Sequence, residues 1–228
     1  MTDSPPISLI CFDLASIVVD GSVVERAFAE AIATQGIVAG TQDYARSMVR
    51  FDRSHGRAPA AVMRDLFDDD EPRAQAASLA FDRSFRAAAE RFGLDLPVDV
   101  ADAIGKTAGS GAKICLLTML SRRSFGELLR LLHTADLVLC GDDVPRGFPW
   151  PDPVLTAMLR LGTADVREVA VVSATADGLL SGYRAGARVL VGLGSGHRVT
   201  ALLEAGATHV LDSITTLPDL VAEVSSAN

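Results

Sequence analysis

A chain of 228 residues, 49% of them apolar, is long enough for one large domain or a domain carrying an insertion. Its formal net charge of −8 argues against a nucleic-acid backbone as partner. No apolar run is long enough to span a bilayer, and the opening MTDSPPIS has neither a basic region nor a signal-like apolar core, so a soluble cytoplasmic protein is expected, with no membrane partner.

The first strand is read in ISLICFDLA (7–15), an apolar run that ends on the carboxylate of Asp13. From Gly21 to about Gly109 no strand is evident. Val23–Gln35, Gln42–Asp52, Pro59–Phe67 and Glu71–Phe92 read as helices, the last preceded by the acidic loop DDDEP (68–72). Strand and helix then alternate. AKICLLTM (112–119) is followed by a helix over Arg122–His133 with Phe125, Leu128, Leu129 and Leu132 on one face. LVLCG (137–141) precedes a helix over Pro153–Leu161, and EVAVVSA (168–174) precedes one over Ala176–Ala185. ARVLVGL (187–193), a helix over Arg198–Glu204 and THVLDS (208–213) complete the pattern. Most of these runs are continuous rather than alternating, as in strands buried on both faces. The fold class expected is α/β, a doubly wound parallel sheet with an inserted α-helical cap. Residues 1–20 and 110–228 form the core, and 21–109 form the cap inserted after the first strand. Cys11, Cys115 and Cys140 each sit in an apolar run with no CxxC pairing, which reads as buried reduced thiols.

Ligands of an open parallel sheet bind outside the carboxyl ends of its strands. Asp13, Thr118, the loop Gly141–Asp152 and the segment Ser173–Asp177 mark those ends, and the helical insertion leaves from the same rim, where it can act as a lid.

With these motifs the chain resembles the haloacid dehalogenase superfamily of Asp-nucleophile hydrolases, over nearly its whole length. The phosphonatase-like branch fits best. Its D-x-A-G-T motif is matched by D-L-A-S-I, with Ala15 in place of a second Asp. LLTMLSRRSFGELL (116–129), GFPWPDPVLTAM (147–158), VVSATADGLLSGYRAGA (171–187) and GSGHRVTALLEAGATHVLDSITTLPDL (194–220) carry the rest of the likeness.

The resemblance makes Asp13 the nucleophile and Thr118 the phosphate-orienting hydroxyl. It also exposes departures. Ala15 cannot move protons as the second Asp of phosphatases does. Ser16 and Ile17 stand where a turn glycine and a threonine hydroxyl are usual. The branch's imine-forming cap lysine has no counterpart: the lysines of the chain are Lys106 and Lys113, while the corresponding cap segment SMVRFDRSHGR (47–57) offers Arg50, Arg53 and Arg57, which cannot form an imine at neutral pH. Phe148 occupies the position of the third-motif cation, with Arg146 two residues before it and Trp150 two after. In the fourth motif Ala174 and Gly178 replace acids, Asp177 is displaced by one position, and Ser173 is similar to the serine-rich sequence of true dehalogenases. Mg²⁺ takes oxygen ligands, usually carboxylates, so a tight Mg²⁺ site is not expected and no cofactor is assigned.

The candidate catalytic residues are therefore Asp13 and Thr118. The candidate substrate-binding residues are Ala15, Ser16, Arg50, Arg53, Arg146, Phe148, Trp150 and Ser173, with His55 as a lid residue that can face a ligand or solvent. Three readings stay open: a degenerate hydrolase binding a small molecule or a protein partner, a metal-independent enzyme using Asp13 as nucleophile or base, and a Mg²⁺ phosphatase with Arg146 and Asp177 substituting. A ligand in the crevice between core and cap is expected, and a homodimer through the cap is compatible with the resemblance.

Overall fold

The structure is a computed structural model that describes residues 5–14, 21–54, 56–92, 97–125 and 135–226. In chain order the elements are β1 (Leu9–Asp13), α1 (Gly21–Ala33), α2 (Gln42–Asp52), α3 (Pro59–Leu66), α4 (Glu71–Phe92), α5 (Val98–Ala108), β2 (Lys113–Leu117) and α6 (Arg122–Phe125). They continue with β3 (Leu137–Leu139), α7 (Asp152–Leu161), β4 (Val169–Ser173), α8 (Ala176–Ala185), β5 (Val189–Leu193), α9 (Arg198–Glu204), β6 (His209–Leu211) and α10 (Leu217–Ser226). Ala15, Ser16, Ile17 and His55 lie outside the described residues, as does the expected helix beyond Phe125.

The strands form one six-stranded sheet in the order β3-β2-β1-β4-β5-β6, with every recorded pairing parallel. The α/β doubly wound fold expected from the alternation is the fold observed. The chain builds outward from β1 through β2 to β3, then returns to lay β4 against the other side of β1. That reversal is the topological switch point of the sheet, where a crevice opens at the strand ends. Asp13 closes β1 and Ser173 closes β4, so both side chains stand at this point.

The period of two along β1 divides the core. Leu9 and Cys11 face one side with Cys115, Leu117, Val169 and Val171, where Val154 and Ala157 of α7 and Leu179 of α8 cover them. Ile10 and Phe12 face the other side with Ile114, Leu116, Ala170 and Val172. That second cluster is continuous with Phe28 of α1 and Phe81 and Phe85 of α4, so the inserted helices share a core with one face of the sheet.

Helices α1 to α4 pack on one another, chiefly α1 on α4 and α3 on α4. The side chain of Thr41 caps α2, accepting from the backbone N–H of Tyr44, and Pro59 opens α3. Helix α5 is not among the helices read from the sequence; Val100, Ala103, Ile104 and Thr107 form its buried face. It packs against β2 and α10, two elements of the sheet layer. A polar bolt fixes α4 to the start of α6. Asp82 accepts hydrogen bonds from Ser121 Oγ at 2.8 Å and Ser124 Oγ at 2.7 Å, and the Arg86 guanidinium donates to the Arg123 carbonyl at 3.0 Å through Nε. Phe85 meets Phe125 edge-on beneath it, with ring centroids 5.8 Å apart. Among the described residues no helix is long and apolar enough to cross a membrane.

Candidate active site

Asp13 is 2% exposed, and a buried carboxylate requires hydrogen-bond donors. Two come from the turn between β4 and α8. Ser173 Oγ donates to Asp13 Oδ2 at 2.8 Å, and Thr175 Oγ1 donates to the same oxygen at 3.3 Å. Each hydroxyl is itself held. The Thr175 backbone N–H donates to Ser173 Oγ at 3.0 Å, and the Gly178 N–H donates to Thr175 Oγ1 at 3.1 Å. Thr175 is thus the N-cap of α8, and the positive end of that helix is relayed to Asp13 through its hydroxyl.

This arrangement depends on the absence of a side chain at position 178. A Cβ there would stand 2.3 Å from Ser173 Oγ and 2.9 Å from Ser173 Cβ. The space that a fourth-motif acid would need is filled by the hydroxyl that serves Asp13. Asp177, the neighbouring acid, is half-buried on the first turn of α8. Burial raises its pKa above the ordinary 3.8, opposed by the guanidinium groups of Arg57 and Arg184. The loop between α2 and α3 covers this turn. Gly56 has φ +92°, a backbone conformation that favours glycine, and a Cβ on it would lie 3.1 Å from Thr175 Oγ1 and 3.3 Å from Asp177 Cβ.

On the other flank, β2 pairs with β1 so that Asp13 is opposite Leu117, which places Thr118 at the next step. Thr118 is buried. Its N–H donates to Leu139 O at 2.9 Å, and its Oγ1 accepts from Leu120 N at 3.2 Å. Met119 follows, and its sulfur accepts the Phe148 N–H at 3.1 Å, which draws the buried Phe148 ring into the same apolar layer.

The predicted residues therefore divide. Asp13 and Ser173 are in direct contact, Thr118 lies beside Asp13 by register, and Phe148 joins them through Met119. Arg146 and Trp150 are engaged elsewhere. Asp152 clasps the Arg146 guanidinium with bonds of 3.1 and 2.9 Å, and that group stacks on Trp150 at 4.5 Å. Trp150 is 46% exposed and also faces Arg184, 5.4 Å away near the last turn of α8. At about 1.5 Å rise per residue, that is roughly 12 Å along the helix from the turn that holds Asp13. Arg50 is exposed and donates to Asp65 O at 2.7 Å, and Arg53 is the exposed C-cap of α2. Ala15 and Ser16 fall outside the described residues. The sequence reading missed Thr175 and Met119. A Thr directly before the first turn of a helix is an N-cap signal and would have singled out Thr175; nothing in the sequence distinguishes Met119 from an ordinary core residue.

The resemblance implies Mg²⁺ beside the nucleophile. The donor set here does not fit it. Mg²⁺ is held by near-octahedral oxygen ligands with carboxylates among them; among the described residues, Asp13 Oδ2 accepts from two neutral hydroxyls that have their own hydrogen-bond duties, and no second carboxylate is grouped with it. Among the described residues, the one group of three His, Cys, Asp or Glu ligand atoms is Cys140, Asp142 and Asp143, at the end of β3 and not including Asp13. In that group Asp143 accepts from the Cys140 N–H and from the Arg122 guanidinium, and Asp142 accepts from the Arg122 N–H. Burial pushes the Cys140 thiol up to about 12. This cluster is a loop staple held by Arg122 rather than a set of free ligands.

The family model for haloacid dehalogenase-like hydrolases matches residues 7–186, from the first residues before β1 to the end of α8. The chain belongs to the haloacid dehalogenase-like hydrolase family. Within the curated relatives, it is 30% identical to a phosphonoacetaldehyde hydrolase of Pseudomonas fluorescens strain Pf0-1 over 116 residues, 41% of this chain and 42% of that one. It is 27% identical to the enzyme of the same name from Pseudomonas fluorescens strain SBW25, over 55% of each chain. The chain thus matches about half the length of these relatives. Among solved structures, a phosphonoacetaldehyde hydrolase-like protein from Oleispira antarctica superposes with a TM-score of 0.79 at 19% identity, covering 97% of this chain and 94% of that one. A hydrolase from Pseudomonas syringae gives 0.78 at 20% identity, over 96% of this chain and the whole of the other. These likenesses carry the haloacid dehalogenase-like fold; the chemistry of the site rests on this chain's own residues.

Proposed function

We propose that this haloacid dehalogenase-like hydrolase has lost the Mg²⁺-dependent phosphohydrolase machinery and binds a small molecule in the crevice beside Asp13. The observation that carries this reading is the Ser173 hydroxyl on Asp13 Oδ2, seated in the space left by Gly178. A carboxylate cannot be restored at 178 without moving Ser173. Phosphonoacetaldehyde hydrolysis, the activity named for the relatives, is disfavoured as well. Lys113 opens β2 and donates to Leu161 O at 2.6 Å, about 13 Å along the strand from the site end, and Lys106 lies on α5. Neither is placed as an imine-forming amine of the cap.

A second reading is favoured by the same hydroxyl pair. Two donors fix the Asp13 carboxylate, as a metal-independent nucleophile or base requires. One experiment separates the possibilities. Phosphate-ester and haloacid turnover is measured with Mg²⁺ and with EDTA, for wild type and Asp13→Asn, beside Mg²⁺ calorimetry. The expected outcome is no phosphate release dependent on Mg²⁺ and no micromolar Mg²⁺ affinity. Turnover that survives EDTA and disappears in Asp13→Asn selects the metal-independent enzyme. Mg²⁺-dependent phosphate release abolished by that substitution overturns both readings and restores the phosphatase.

A further inference from the structure

Three helices cover the face of the sheet opposite the inserted helices. Val154 and Ala157 of α7, Leu179 of α8 and Leu202 of α9 share the core cluster on that side. Helix α8 packs against both neighbours, so the layer runs α7-α8-α9. Each helix returns between parallel strands, which brings the three C-terminal ends to the edge where the strands begin. Asp13, at the end of β1, stands at the opposite edge.

The outside of this layer is apolar. Among the described residues nine large hydrophobic side chains are exposed, and five of them, Trp150, Leu155, Leu159, Tyr183 and Leu203, belong to this layer or to the loop that enters it. Three occupy the last turns of successive helices: Leu159 of α7 is 83% exposed, Tyr183 of α8 64% and Leu203 of α9 52%. Tyr183 reaches the turn after α9, where a Cβ on Gly206 would stand 3.0 Å from its ring. Packed helices lie about 8–10 Å apart, so Leu159 and Leu203 flank Tyr183 at similar distances. Leu155 extends the stripe by one turn of α7.

The charges on this row are arranged end to end. Arg160 follows Leu159 and Glu204 follows Leu203. Both are exposed, and neither has an ion pair among the described residues. Arg184, which follows Tyr183, is committed within its own chain: it donates to Pro149 O at 2.9 Å and lies over Trp150. The row therefore carries a cation at one end, an anion at the other and an aromatic ring between them. Such a row complements itself. A half-turn about an axis at Tyr183, parallel to the helices, lays Leu159 on Leu203 of a second copy, Arg160 on its Glu204 and Tyr183 on its Tyr183.

We propose that the α7-α8-α9 face is the contact between two copies of this chain, joined about a two-fold axis at Tyr183. Two Leu159–Leu203 contacts and two Arg160–Glu204 ion pairs flank that axis. Tyr, Trp and Arg are the residues that contribute most at protein interfaces, and this face presents all three. The contact lies on the other side of the sheet from the inserted helices and does not draw on the chemistry at Asp13.

The test is sedimentation velocity of the full chain across the micromolar range. A dimer is expected. Leu159→Asp and Tyr183→Asp should each weaken it by about a hundredfold or more, since every side chain enters a two-fold contact twice, with far-UV circular dichroism unchanged because both positions are exposed. Arg160→Glu and Glu204→Arg should each weaken it as well, because like charges then meet. An equal mixture of those two variants should regain the dimer: the carboxylate introduced at 160 meets the guanidinium introduced at 204, and the native Arg160 meets the native Glu204. Loss of fold cannot be repaired by mixing. The proposal is overturned if the wild type is a monomer throughout, or if the mixture stays monomeric. It is equally overturned by a dimer that survives Tyr183→Asp and is lost in Val49→Asp, which puts the contact on the inserted helices. None of these readouts involves Mg²⁺ or turnover, so failure here is distinct from failure of the functional reading.

Discussion

Position 178 shows how one residue can commit a site. Its Cα approaches Ser173 so closely that even alanine would overlap the hydroxyl that donates to Asp13. Gly178→Ala should therefore cost about 2 kcal/mol in urea denaturation, an overpacking penalty larger than the gain in helix propensity. Ser173→Gly in the same chain should recover part of that loss, because the two closest atoms belong to Ser173. A Gly178→Ala variant as stable as wild type would show that the turn relaxes and that an acid could return. Asp177, next to it, makes a second prediction. Its pKa is raised by burial against the pull of Arg57 and Arg184. A carboxyl of this kind contributes stability that is complete below its unfolded pKa, here the ordinary 3.8, and is lost as pH rises through the raised value. Asp177→Asn should be more stable than wild type at pH 7, and the difference should close as pH falls below 4 in denaturation curves taken across that range. Asp13 and Ser173 were legible in the sequence, because a carboxylate and a hydroxyl ending buried apolar runs have little purely structural reason to be there. The engagement of Arg146 with Asp152 was not, since two charges six residues apart carry no sign of whether the chain between them folds back.

Element by element, the strands were the readable part. Continuous runs such as LICFD, ICLL and VAVVS are buried in their native positions on both faces, so pattern and environment agree, and the observed strands fall inside the runs. Helix α5 was obscure because VDVADAIGKTA carries Gly105 and closes its buried stripe, Val100, Ala103, Ile104 and Thr107, with a polar residue, and its partner α10 comes more than a hundred residues later. The bolt between α4 and α6 was obscure for a similar reason: Asp82 has no neighbour in sequence that points to Ser121 and Ser124. It adds a polar tie between α4 and the start of α6 to the apolar core that they share. Asp82→Ala removes the shared acceptor of two hydroxyls, one of them on the fully buried Ser124, and should destabilise the chain by about 2 kcal/mol in denaturant titration. Hydrogen exchange in such a variant should rise first along α4 and the start of α6, with β1 and β4 little changed. Uniform acceleration across the sheet would mean that the bolt supports the whole fold rather than the seating of one helix.

At the scale of the whole molecule, the three cysteines report how the sheet opens. Cys11 and Cys115 are directly opposite on the neighbouring strands β1 and β2, both fully buried, and the hydrogen bond between them with burial drives the Cys115 pKa far above the ordinary thiol range. Cys140 follows β3, the edge strand, and burial holds its thiol at about 12. The thiolate is the reactive form, so labelling by an aromatic disulfide reagent at neutral pH requires opening of the structure. Edge elements open in local fluctuations, whereas central strands open only with the domain. Labelling of the native chain should proceed in two stages, one equivalent from Cys140 and then Cys11 and Cys115 together. The second stage should be slower than in the denatured chain by on the order of 10³ or more, the equilibrium constant of a domain stable by 5 kcal/mol or above. Cys140→Ser should remove the first stage and leave the second unchanged. If instead Cys115 reacts as fast as Cys140 in native buffer, the centre of the sheet next to Asp13 opens without global unfolding, and the hydroxyls that hold that carboxylate would be released along with it.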